Sequence, residues 1–94
     1  MNWFITRVEL HDATEADYQR LHEEMEARRF FRSIQDQSGT RHQLPTAMYF
    51  SQSIELDAGG VRGLAVAAAN ATGRRSWVIT CLTTQWAAQG LPAV

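Results

Sequence analysis

The chain opens on an alternation: Phe4, Thr6, Val8 and Leu10 fall on one side of an extended backbone, and Trp3, Ile5, Arg7 and Glu9 on the other. Residues 3–10 are therefore predicted as a strand with one buried and one mixed face. The period then changes. Tyr18, Leu21, Met25 and, beyond them, Phe30 recur at the spacing of a helix with one apolar stripe. Asp12 and Thr14 offer amino-terminal caps, Glu15 and Asp17 complement the helix dipole, and Glu24 with Arg28 makes a favourable i,i+4 pair, which sets the helix at 14–29.

Phe31 to Gln35 reads as a short second strand running into the turn tetrad Asp36-Gln37-Ser38-Gly39. A return strand starts at Thr40, is interrupted by Pro45 and resumes as Ala47-Met48-Tyr49-Phe50. Ser53 and Asp57 are candidate caps of a second helix with Val61, Leu64, Ala65 and Ala68 inward and Gly73 just past its end; Gly59, Gly60 and Gly63 weaken its first turns. The apolar run Trp77 to Thr83 predicts a strand buried on both faces, with Cys81 packed inside it, and residues 84–94 form a tail. The order β-α-β-β-α-β closes with right-handed crossovers as an α+β, ferredoxin-like plait, a four-stranded antiparallel sheet with two helices on one face. The other face, carrying Trp3 and Ile5, is left for a partner.

Ninety-four residues make one domain, 1–94, and the core is modest: 13 hydrophobic residues are Ala, and Leu, Ile, Val and Phe total 20. A thin core is helped by self-association, so a homodimer is expected, with the tail 84–94 as a candidate dimer contact. The net charge of −1 argues against nucleic-acid or membrane binding by bulk electrostatics alone. A single cysteine suits a reducing compartment, and no stretch approaches 18 apolar residues, so a cytoplasmic protein without a membrane span is expected.

No phosphate loop, metal-ligand run or nucleophile elbow is present, which leaves the histidines and their neighbours. His11 and Asp12 end the first strand; Asp12 is a carboxylate that could hold Mg²⁺, or a plain helix cap, and no other cofactor is expected. His22 shares a helix face with Tyr18 and Glu26, either as an acid/base group or as part of a solvated flank. Arg41 and His42 stand side by side on the hairpin as a phosphate contact and an acid/base group, or as edge-strand charges. Trp3 and Tyr49 lie on strands where rings could stack on RNA bases, although the RNA-recognition octapeptide is missing. Core packing or a dimer seam is the competing role for Trp3, Trp77 and Trp86.

The run Phe30 to Leu44, with Ile34, Asp36, Gly39, Gln43 and Leu44 in step and Tyr49 after it, resembles the GhoS-type antitoxin family of type V toxin–antitoxin systems. Arg20, Leu21 and Met25 keep step on the preceding helix, so the likeness spans residues 3–53. The resemblance implies a ferredoxin-like fold akin to the small CRISPR-associated nucleases. It also implies a bacterial endoribonuclease that cleaves the single-stranded mRNA of a small membrane toxin. Those nuclease relatives are dimers with an Asp at the end of the first strand, here Asp12. The family's active positions on the first helix and third strand fall at His22, where the family has an arginine, and at Tyr49. A neutral imidazole does not replace a permanent cation at a phosphate. The expected function is an antitoxin-like endoribonuclease with His22, His42 and Asp12 in catalysis and Arg41, Tyr49 and Trp3 on RNA. The alternative is a non-catalytic RNA- or protein-binding module of a toxin–antitoxin or mobile-element system.

Overall fold

A computed structural model describes all 94 residues. In chain order the elements are β1 (Asn2–Leu10), α1 (Glu15–Ala27), β2 (Ser33–Gln35), β3 (Arg41–Gln43), β4 (Met48–Ser53), α2 (Ala58–Asn70) and β5 (Ser76–Thr83). The predicted alternation holds in β1, where Phe4, Thr6, Val8 and Leu10 are buried. This strand is central, with β4 and β5 antiparallel on its two sides. Leu21 and Met25 of α1, Phe30, Tyr49 of β4, and Val61, Ala65, Ala68 and Ala69 of α2 join the β1 residues in one core, which places both helices on the same face of the sheet. The small side chains of α2 let its backbone approach closely. Leu64, expected inward, is exposed, and Ala69 is buried in the core.

Both helix starts follow from side-chain chemistry. Thr14, not Asp12, caps α1: its hydroxyl accepts from the Asp17 N–H at 3.2 Å, and the Asp17 carboxylate accepts from the Thr14 N–H at 2.9 Å. Asp12 instead turns the chain at φ 52°. Asp57 caps α2 by accepting from the Gly60 N–H at 2.9 Å, whereas Ser53 closes the preceding turn through the Glu55 and Leu56 N–H groups. At the far end of α1, Phe30 N–H reaches the Met25 carbonyl at 3.0 Å and Arg29 N–H the Glu26 carbonyl at 2.9 Å. This is a Schellman ending with Arg29 in the left-handed region at φ 66°. The Glu24–Arg28 pair forms as predicted, at 2.9 Å.

Two expectations are corrected. The hairpin β2–β3 is a sheet of its own, and the three-stranded sheet gains from this segment only a bridge at Phe31, whose N–H and C=O pair with Phe50 at 2.8 and 2.7 Å. Pro45 and the left-handed Ala47 (φ 64°) break the return strand, so β3 stays with the hairpin while β4 pairs with β1. Secondly, β5 is an edge strand and its outer face is open: Trp77 is 68% and Ile79 63% exposed, and Cys81 is exposed as well. An unbroken apolar run does not reveal which face a helix will cover. The end of the tail pairs with the hairpin. The Gln43 N–H donates to the Pro92 carbonyl and the Val94 N–H to the Arg41 carbonyl, both at 2.9 Å, so residues 92–94 lie along the free edge of β3.

Candidate functional site

Two groups of the chemistry-bearing residues come together, on different parts of the molecule. The first joins α1 to β4. Tyr49 points inward from β4 and is fully buried, and its hydroxyl lies 2.6 Å from Nδ1 of His22 on α1. Burial pushes the Tyr49 phenol well above its usual range, so it keeps its proton. That hydroxyl has no other hydrogen-bond partner, and a desolvated O–H must donate to the one acceptor within reach. Tyr49 therefore donates to Nδ1, which fixes the neutral His22 tautomer with its proton on Nε2. Burial, reinforced by the charge of Arg32, holds His22 below its usual 6.5, so the ring is neutral at physiological pH. Its Nε2 is not among the buried, unpartnered side-chain atoms, which are His11 Nε2 and Ser51 Oγ; the N–H thus reaches solvent.

Arg32 is the residue that sequence reasoning missed. It is close enough for its charge to disfavour protonation of His22 and to favour ionisation of Tyr49. A guanidinium beside an outward imidazole N–H is a donor pair suited to an oxyanion. The signal in the sequence was only an arginine between Phe31 and Ser33, and nothing local ties it to a helix ten residues earlier.

The second group lies in the hairpin. Asp36 closes the β2–β3 turn: one carboxylate oxygen accepts from the Ser38 N–H (2.9 Å), the Ser38 hydroxyl (2.6 Å) and the Thr40 N–H (2.9 Å). The other oxygen lies 2.8 Å from Nε2 of His42. The Ser38 hydroxyl first, then His42 and the backbone N–H groups hold the Asp36 carboxyl well below the usual carboxylate range. An ionised carboxylate only accepts, so Nε2 carries the proton, and in the neutral ring Nδ1 keeps a lone pair. His42 lines a cavity of about 1140 Å³ between this turn, the start of β1, the end of β5 and the tail. Trp3, expected on RNA, lines the same cavity.

The remaining predicted residues fall elsewhere. Arg41 precedes His42 on a strand, and successive side chains point to opposite faces. Arg41 bonds the Ser33 hydroxyl at 3.0 Å and is not among the residues of the cavity. Asp12 is exposed and makes no side-chain hydrogen bond or ion pair, and no three His, Cys, Asp or Glu side chains are gathered as a metal would require. His22 bonds Tyr49 and His42 bonds Asp36, with no partner in common. His11 packs edge-on against Trp77, with ring centroids 4.7 Å apart.

No family model, curated protein or solved structure matches the chain. The residues that carry the antitoxin resemblance have structural work in this fold: Ile34 and Leu44 are buried, Asp36 and Gly39 (φ 90°) build the hairpin turn, and Leu21 and Met25 are core. No helix is long and apolar enough to cross a membrane.

Proposed function

We propose that this chain is an antitoxin-like, single-stranded-RNA-binding module built on a ferredoxin-like plait, in which the Phe31 bridge is the remnant of the fourth sheet strand. The observation that carries the reading is the cluster of Tyr49, His22 and Arg32. It joins the two positions that the resemblance ties to activity, His22 and Tyr49, by a hydrogen bond and sets the charge of Arg32, a residue outside the resemblance, beside them. A backbone phosphate accepts from the His22 N–H and the Arg32 guanidinium. Because Tyr49 already occupies Nδ1, His22 is a donor here and not a proton acceptor, which favours holding RNA over cutting it. Tyr49 acts through His22 and is a positioning residue.

The test is binding of a mixed-sequence single-stranded RNA, followed by fluorescence anisotropy at two salt concentrations. Arg32→Gln is expected to weaken binding across all sequences and to lower the salt slope by about one phosphate contact. Arg32→Gln and His22→Ala proteins that are folded and bind RNA as tightly as the parent would overturn the assignment.

A second reading, the endoribonuclease, is favoured by the Asp36–His42 pair. The open Nδ1 of His42 is a candidate base that takes the proton of a ribose 2′-hydroxyl, whose oxygen would attack the adjacent phosphorus and expel the 5′-oxygen, which takes a proton from water. RNA cleavage that persists in EDTA and disappears in His42→Ala supports it. Cleavage lost in EDTA or in Asp12→Ala moves the chemistry to a divalent ion at the end of β1, and no cleavage by folded protein leaves the binding module. The open sheet face, with Trp3, Phe31, Trp77 and Ile79 exposed, supports a homodimer or protein contact. Sedimentation of the parent beside Ile79→Ser tests that.

A further inference from the structure

The cavity beside His42 has a lining unlike the phosphate cluster. Its walls come from segments far apart in sequence, and the tail wall is held by the backbone bonds of residues 92–94 to β3. Met1, with the chain's amino group, lines it beside one ionised carboxylate, Asp36, and no arginine does. Two tryptophans do, Trp3 and Trp86. Around them stand four carboxamides: Gln35 donates to the Gly39 carbonyl at 3.1 Å, and Asn2, Gln37 and Gln85 make no side-chain hydrogen bond within the chain. Each of the latter three offers an acceptor beside two donors, and His42 adds the lone pair of Nδ1.

We infer that this cavity is a nucleobase pocket, in which a purine stacks on a tryptophan while a carboxamide pairs with its edge. Carboxamides match the adjacent donor and acceptor of adenine, and stacking on an indole is tolerant of the rest of the ligand. The hollow is half-open, and its volume of about 1140 Å³ exceeds that of a typical small-ligand pocket and has room for a whole nucleoside. The inference deepens the RNA reading by placing base recognition away from the phosphate contact, and the same chemistry serves a free nucleoside.

Titration of the full chain with adenosine, followed by tryptophan emission and by backbone amide shifts, tests it. Saturable binding is expected, with a dissociation constant of the order of 1 mM or tighter. Trp86→Ala is expected to weaken it about tenfold, and Leu64→Ala, at an exposed position of α2 outside the cavity, to leave it unchanged. Gln85→Ala, at an exposed position, serves should Trp86→Ala fail to fold, with weakening again expected. Absence of binding, equal loss in Leu64→Ala, or no loss in either cavity variant would overturn the pocket. Where adenosine binds, a short oligoadenylate binding much more tightly identifies a base within RNA as the ligand, and equal affinity identifies the free nucleoside. RNA binding without adenosine binding removes the pocket and leaves the phosphate cluster; adenosine binding without RNA binding does the reverse.

Discussion

Tyr49→Phe tests the central bond of the α1–β4 cluster. The substitution removes one oxygen and leaves the ring in the core, so no cavity term arises and the loss is that of one hydrogen bond. Tyr49 is fully buried and its hydroxyl lies 2.6 Å from His22 Nδ1, while His22 is partly exposed and can recover water on Nδ1. The net cost is therefore about 1 kcal/mol, which in a domain of this size lowers the melting temperature by about 4–8 °C. His22→Ala should cost more, about 1–3 kcal/mol, because it strands a hydroxyl in the core without a partner. Urea denaturation of both single variants and the double variant gives the coupling energy, expected near 1 kcal/mol. Additivity within about 0.3 kcal/mol, or a Tyr49→Phe protein as stable as the parent, would refute the donor role of Tyr49 and with it the tautomer assigned to His22.

Arg29→Gly should stabilise the protein by about 0.5–1 kcal/mol in chemical denaturation, since an exposed residue at φ 66° gives way to the one residue without a left-handed penalty; a loss of stability would contradict the Schellman geometry. Thr14→Ala removes the α1 cap and should cost about 1 kcal/mol by the same assay. His22 has a folded-state pKa below its usual 6.5, so the unfolded chain takes up its proton first as pH falls. The stability this contributes is complete above pH 6.5 and declines as pH falls through the window beneath it. The stability difference between the parent and His22→Gln should accordingly shrink from about pH 7 downward, and a difference that grows on acidification would reverse the sign of the shift.

The amino-acid sequence by itself determined what depends on near neighbours along the chain. The two-residue period of β1, the apolar stripe of α1, the capping chemistry of Thr14 and Asp57 and the Asp36–Gly39 turn are all decided within a few residues, where backbone geometry and local hydrogen bonds set the outcome. It also singled out His22 and Tyr49, though not their contact. Tertiary structure decided everything that depends on which surfaces meet. Whether the run Trp77–Thr83 is buried depends on what covers its outer face, and nothing in the chain does. Whether Phe31–Gln35 joins the main sheet depends on how far Pro45 and Ala47 turn the chain from β3 to β4, and only the Phe31 bridge survives that turn. The His22–Tyr49 bond, the nearby charge of Arg32 and the cavity that unites Trp3, His42 and Trp86 join residues up to 83 positions apart. Such pairings are fixed by packing a shared core, and no local pattern encodes them.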